Sequence, residues 1–242
     1  MPTWDGSMLL EIKNIDVLYD DFQVIWDLSL SVEVGEMVAL LGPNGSGKST
    51  ILNTISNLIN HKTGEIYFNQ ERISDQPTFR RTAMGISHVL ERRRVFPHLT
   101  VLQNLLLGAW HQQARQARQD SLSKIYQMFP KLEERSNQLA HTMSGGEQQM
   151  LAIARGLMGL PRLLMVDEPF LGLSPMVAKD LIAVFKNIVG EGISILFVEQ
   201  NVRLALSMAD RGYVLESGKL VITGNSADLI DNEMVKKVFL GS

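Results

Sequence analysis

Gly42-Pro43-Asn44-Gly45-Ser46-Gly47-Lys48-Ser49-Thr50 satisfies the pattern G-x-x-x-x-G-K-[ST], and its setting gives the pattern meaning. Before it lies the apolar run Met37 to Leu41, which reads as a strand. After it, Ile51, Leu52, Ile55, Leu58 and Ile59 fall at the spacing of one buried helical stripe. Glycines 42, 45 and 47 allow the backbone to bend so that successive N–H groups point inward, and the following helix adds the partial positive charge of its N-terminus. The result is a cradle for a polyphosphate. Lys48 would reach the outer phosphates as a point charge, and Ser49 would offer its hydroxyl to a magnesium ion held against them. Thr50 completes the pattern and reads equally as helix packing. The structural alternative, a glycine-rich strand-to-helix turn, accounts for the glycines but not for the lysine and hydroxyl behind them.

A buried strand elsewhere ends in acids. Leu163-Leu164-Met165-Val166-Asp167-Glu168 places two carboxylates at the carboxyl edge of a sheet, where ligands of open α/β sheets sit. Asp167 is suited to magnesium, directly or through water, and Glu168 to orienting and deprotonating an attacking water. Without the phosphate loop, a solvated turn would explain the pair equally well. A second glycine-bearing helix start, Ser144-Gly145-Gly146, precedes the stripe Met150, Leu151, Ile153, Ala154, Leu157 and Met158, with Ser144 as N-cap. The chain therefore has two candidate anion sites in different lobes, although a nucleotide has one γ-phosphate. Closure of the second over a nucleotide held by another subunit accounts for both.

The rest of the chain supplies the frame. Leu10, Ile12, Ile15 and Val17, then Leu28, Leu30, Val32 and Val34, alternate with polar residues and predict an antiparallel layer. The non-alternating apolar runs at 37–41, 163–166 and 193–198 predict parallel strands covered on both faces. One helix is marked by Ser174 and Pro175 at its start, by Val177, Leu181, Val184, Phe185 and Ile188 on its face, and by Gly190 at its end. From His98 to Gln149 the charged helical pattern interrupts the strand-helix alternation. Tyr213 to Leu215 and Leu220 to Ile222 flank Ser217-Gly218 as a hairpin, with a last helix from Ser226. The expected organisation is one α/β unit, with a core at 8–90 and 160–242 and an inserted helical subdomain at 91–159.

Composition narrows the function. The 242 residues contain no cysteine, which removes disulfides and thiolate metal sites, and the five histidines show no ligand-like pairing. A net charge of −3 argues against nucleic acid as a partner, which would require a basic stripe. No apolar run approaches the roughly 20 residues of a membrane span, and a cytosolic chain is expected. Residues 1–7 show no periodicity and are expected to be a short tail. Arg92-Arg93-Arg94 reads either as a solvated face or as a basic patch for a membrane partner or an anionic leaflet; Leu102, Leu105, Leu106 and Leu107 read as core or as a partner groove.

In this order and separation GPNGSGKST, MSGGEQQ (143–149), LLMVDEP (163–169) and GLSP (172–175) resemble the ATPase domain of an ABC transporter over nearly the whole chain. ERRRVFPHLTV (91–101), EPFLGLSP (168–175), FVEQN (197–201) and VKKVFLG (235–241) further resemble the LivF-type ATP-binding subunit of branched-chain amino-acid importers. The resemblance implies a P-loop NTPase fold and Mg-ATP as cofactor. It also implies a head-to-tail dimer with a LivG-like subunit or a second copy, in which Ser144, Gly145 and Gly146 of one subunit meet ATP held by residues 42–50 of the other. Two transmembrane permease subunits and, indirectly, an external solute-binding protein are the further partners implied. The location implied is peripheral, on the cytoplasmic face of the membrane.

By the same resemblance, Tyr19 occupies the position that stacks on adenine, and Lys48, Glu168 and Gln200 are the catalytic set. Gln200 stands where most such ATPases carry a switch histidine, and Glu91 where most carry a glutamine at the metal. Leu90 and Arg92 replace a usual proline and glycine, and Ser174 replaces a usual aspartate, which changes the expected loop shapes. An ATPase of an amide, urea or lipopolysaccharide system, or an ABC protein acting on nucleic acid or ribosomes, is the competing expectation. The last predicts duplicated cassettes or a long coiled insert, and the chain has neither.

Overall fold

The computed structural model describes residues 8–92 and 94–240, so the tail expected at 1–7 and the middle residue of the Arg92-Arg93-Arg94 run lie outside the described residues. Strands β1 (Met8–Tyr19) and β2 (Phe22–Glu33) precede β3 (Met37–Leu41), which runs through Gly42 to Gly47 into helix α1 (Lys48–Ile55). Next come β4 (Thr63–Phe68), β5 (Glu71–Arg72), α2 (Thr78–Ala83) and β6 (Ile86–Val89). Helices α3 (Val101–Gly108), α4 (Gln112–Gln116), α5 (Arg118–Met128), α6 (Pro130–Glu134) and α7 (Gly145–Leu157) lie between β6 and β7 (Leu163–Asp167). The chain continues through α8 (Pro175–Gly190), β8 (Ser194–Glu199), α9 (Val202–Leu206), the hairpin β9 (Arg211–Glu216) and β10 (Lys219–Asn225), α10 (Ser226–Leu229) and α11 (Glu233–Leu240).

The strands form two sheets. One is antiparallel, in the order β2-β1-β4-β5; the other runs β10-β9-β3-β8-β7-β6, parallel except for β10 at its edge. Every residue of β3, β7 and β8 is buried, as runs without alternation require of strands covered on both faces. The period of two divides β3 between two cores. Val38 and Leu40 pack with Ile51, Leu52 and Ile55 of α1 and with the inner face of the antiparallel sheet, while Met37, Ala39 and Leu41 pack with α7 and α8. Each aliphatic side chain sealed this way contributes about 1.5–3 kcal/mol relative to exposure, so the strand that leads into the phosphate loop is fixed from both sides.

The far end of α1 is fixed as well. Arg81 is fully buried and donates to the carbonyls of Thr54 and Ile55, the last turn of α1, and to those of Ser74 and Gln76. Burial lowers its guanidinium to about 10, still charged at neutral pH, and a cation at a helix C-terminus is favourably placed.

Three local expectations are corrected, and one reading left open divides. α1 stops at Ile55, because Asn57 turns the chain with φ 58°, and Leu58, expected on the buried stripe, is 53% exposed. Val34 lies past the end of β2 and is exposed. The terminal helix expected from Ser226 is two helices, α10 and α11; Asn232 interrupts it, accepting the N–H groups of Met234 and Val235. Of the four leucines of α3, Leu105 is core and Leu107 is exposed.

Candidate functional site

The bend after β3 is enforced by sterics. A Cβ on Gly42 would lie 2.4 Å from the carbonyl oxygen of Leu215 and 2.5 Å from Ser46 Oγ, while Gly45 and Gly47 adopt left-handed φ of 78° and 102°. Gly47 is the N-cap of α1, and no side chain caps that helix, so its first amides keep their donors for a ligand. Pro43 accepts the N–H of Ser46, closing the turn, and Gly218 donates to the carbonyl of Ser46. The buried ammonium of Lys48 donates to the carbonyls of Gly42 (2.9 Å) and Pro43 (3.0 Å). Burial lowers its pKa, and the carboxylates of Glu168, Asp167 and Glu199 work in the opposite direction.

The acids reach the same sheet edge because β8 lies between β3 and β7, with Leu41 opposite Glu199 and Asp167 opposite Val198. Asp167 is buried, and burial raises its carboxyl pKa; a hydrogen bond with Ser49 lowers it, and Glu168 and Glu91 raise it further. Its Oδ1 is buried without a hydrogen-bond partner among the described residues, an unsatisfied hard oxygen of the kind a divalent cation completes. Among the described residues no group of three or more His, Cys, Asp or Glu side chains could hold a metal. Magnesium takes one or two protein oxygens together with phosphate oxygens and waters. The donor set of Ser49, Asp167 and Glu91 therefore fits the ion.

Glu168 leaves the strand with φ 46°, its N–H bonded to the carbonyl of Val198 at 3.1 Å and its carboxylate accepting from Gln200 Nε2. A cleft of about 460 Å³ collects Asn44, Gly45, Gly47, Lys48, Ser49, Thr50, Glu91, Glu168 and Gln200 in its wall, drawing residues from four sequence segments to one place. Val24 and Leu171 also line it. Neither carries a polar signal by which sequence reading could find it. Glu199 was missed too: it is buried, and its carboxylate takes the N–H groups of Phe170, Gln200 and Asn201. The signal available for it was an acid ending an apolar run, the same one that marks Asp167.

Gly42, Pro43 and Ser46 shape the loop from behind the cleft wall, and Ser46 Oγ is buried without a partner among the described residues. Tyr19 is 46% exposed at the end of β1, its hydroxyl 3.5 Å from Thr50 Oγ1, outside the wall. Ser144, Gly145 and Gly146 are not in the wall either. They start α7, where Ser144 and Glu147 form a capping box and a Cβ on Gly146 would meet Val177 at 2.8 Å. Glu91 pairs with Arg92 at 3.5 Å; Arg155 donates to the carbonyl of Arg94 and lies over the ring of Phe96. Three of the five histidines make structural bonds: His111 to the Gly159 carbonyl, His141 to that of Pro97, and His88 to the hydroxyl of Ser56.

Comparison with known proteins points the same way. A family model described as ABC transporter matches residues 25–171. The chain is 40% identical to the high-affinity branched-chain amino acid transport ATP-binding protein BraG of Pseudomonas aeruginosa, over 96% of this chain and 100% of that protein. It is 32% identical to the lipopolysaccharide export system ATP-binding protein LptB of Haemophilus influenzae, over 96% of this chain and 97% of that one. Among solved structures, the dimeric post-hydrolysis state of an ATP-binding cassette bound to ADP and Pi matches with a TM-score of 0.78 at 25% identity, covering 90% of this chain and 99% of that one.

Proposed function

The chain belongs to the ABC transporter family as an ATP-binding, ATP-hydrolysing subunit, and from that premise we propose that it powers uptake of branched-chain or related amino acids. The similarity to BraG supports this cargo. The convergence of Lys48, Ser49, Glu168 and Gln200 on one cleft carries the catalytic reading. The amides of residues 42–50 and the Lys48 ammonium hold the β- and γ-phosphates of ATP. Tyr19, close to the loop through Thr50, stacks on the adenine. Ser49 and Asp167, with Glu91 nearby, would hold magnesium, which neutralises charge developing on the phosphates.

Water attacks the γ-phosphorus in line with the bond to the β-phosphate; that bond breaks to ADP, and the water gives its proton to a Glu168 carboxylate oxygen. Gln200, already within reach of Glu168, donates its amide N–H to a γ-phosphate oxygen and has no proton of its own to titrate. A head-to-tail partner, LivG-like or a second copy, brings its own signature segment, equivalent to Ser144 to Gly146, over that phosphate; this reading draws support from the dimeric cassette structure. No helix among the described residues is long and apolar enough to cross a membrane. On this reading the chain reaches the membrane through two permease subunits on its cytoplasmic face, fed by an external binding protein.

Glu168→Gln tests the core of this reading. It is expected to keep ATP affinity and to lose about two orders of magnitude or more in hydrolysis, the scale of removing one transition-state group. Turnover like that of the unaltered chain would remove Glu168 from the mechanism. The similarity to LptB favours one second reading, a lipopolysaccharide-type exporter; flux of labelled leucine into vesicles carrying the co-purified complex separates the two.

A further inference from the structure

We propose that Glu199 is the positioning residue that sets Glu168 and Gln200 in register for hydrolysis, its buried carboxylate tying the loop after β7 to the loop after β8. The proposal rests on the roles given above to Glu168 and Gln200. Glu199 is the last residue of β8, 5% exposed, and its two oxygens point to different loops. Oε1 accepts the N–H of Phe170 at 3.1 Å, two residues beyond Glu168. Oε2 accepts the N–H of Gln200 at 3.2 Å and that of Asn201 at 3.5 Å.

Both loops need such a tie. Glu168 sits in the left-handed region at φ 46°, a conformation unfavourable for a residue with a Cβ that persists only where neighbours over-determine it. The strand side is held by its N–H to Val198 O, and the outer side of the same turn by Phe170 N–H to Glu199. Gln200, whose amide reaches the Glu168 carboxylate, starts from the backbone N–H that Glu199 also holds. One side chain thus sets the separation between the candidate base and the candidate γ-phosphate donor. A charge is also better suited than a neutral group to accepting three N–H donors in a desolvated place.

Glutamine at this position keeps one acceptor and turns the other into an NH2 facing an N–H, so one loop loses its tie. Aspartate keeps both acceptors but is one methylene shorter and cannot span both loops. Steady-state hydrolysis of Mg·ATP and calorimetric ATP affinity would be measured on the full chain for Glu199→Gln, Glu199→Asp, Glu168→Gln and the Glu168→Gln/Glu199→Gln pair. Displacement of a reacting group by about an ångström costs on the order of 100-fold.

Both Glu199 variants are therefore expected to lose about 10- to 100-fold in kcat while ATP affinity stays within about threefold. In the Glu168→Gln background, Glu199→Gln should lower residual hydrolysis by clearly less than it does in the unaltered chain, because the part of its effect that passes through the Glu168 carboxylate is already gone and only the part through Gln200 remains. If Glu199→Gln does not fold, Glu199→Asp decides by the same split between kcat and affinity. Unchanged kcat in the Glu199 variants, affinity falling in step with kcat, or a full additional loss in the Glu168→Gln background would each overturn the proposal. Full activity of Glu168→Gln alone would instead overturn the reading beneath it.

Discussion

Helices α1 and α7 both begin at glycine-bearing bends, but their N-termini are finished in opposite ways. α1 starts at Gly47 with no capping side chain, inside a cleft, with Lys48 folded back on the loop carbonyls. α7 is closed: Ser144 accepts the N–H of Glu147, Glu147 takes the N–H of Ser144 at 2.8 Å, and Arg135 pairs with Glu147 at 3.1 Å. An open N-terminus leaves orphan donors that favour an anion supplied by the cleft of the same chain. A capping box settles two of the donors, the N–H groups of Ser144 and Glu147, and leaves those of Gly145 and Gly146 with the hydroxyl hydrogen of Ser144 to offer, which suits a ligand carried by another subunit. The two glycine motifs thus divide into a seat and a cover.

The largest expected effect breaks the seat. Lys48→Ala removes the buried ammonium and leaves the loop amides; an ammonium–phosphate contact in such a site is worth about 1.5–3 kcal/mol, so calorimetry should find ATP affinity down by about 10- to 100-fold. Affinity within a factor of a few of the unaltered chain would mean that the open helix start holds the phosphates unaided.

How much of this contrast was legible differs between the two motifs. The phosphate loop was readable because strand, bend and helix adjoin in sequence, and glycine tolerance, a lysine and an apolar stripe are all local signals. So was the hairpin at Ser217-Gly218, where both residues take positive φ. The signature segment was readable as a cap, since S-x-x-E is local, but its distance from the cleft was not. Arg81 escaped because its partners are backbone carbonyls distant in the chain, which leave no pattern in residue types; Glu199 ends an apolar run as Asp167 does, but its three N–H partners are backbone groups that residue types do not reveal. Leu58 failed for the opposite reason. The stripe ran on, but a left-handed Asn57 had already ended the helix.

A smaller effect sharpens the contrast from the sealed end of α1. His88 bonds Ser56, just past that helix, and burial lowers its imidazole from 6.5 to about 4. The unfolded chain takes up a proton between those values that the native chain refuses, so stability is full above 6.5 and is lost as the pH falls towards 4, by about 2 kcal/mol between pH 7 and pH 5. His88→Phe removes the proton from both states. Denaturant titrations at the two pH values should therefore show a drop smaller by about 2 kcal/mol in the variant; equal drops would mean that the imidazole is charged in the folded chain.

The smallest effect concerns the closed helix, and it separates the two duties of Ser144. Loss of an N-cap hydroxyl costs about 1 kcal/mol of stability wherever the residue sits, so Ser144→Ala should lower the unfolding midpoint modestly whether or not a second subunit is present. If Ser144 also covers a phosphate in trans, its removal leaves ATP affinity unchanged in dilute, monomeric samples, because the wall of the chain's own cleft does not include it. Hydrolysis at concentrations where subunits pair should then fall about tenfold, the worth of one hydrogen bond to a charged oxygen. A loss of affinity in the dilute sample would bring α7 to its own chain's nucleotide and erase the distinction between seat and cover. A loss of stability with no change in turnover would leave Ser144 as a cap alone, with the γ-phosphate covered by other groups of the partner.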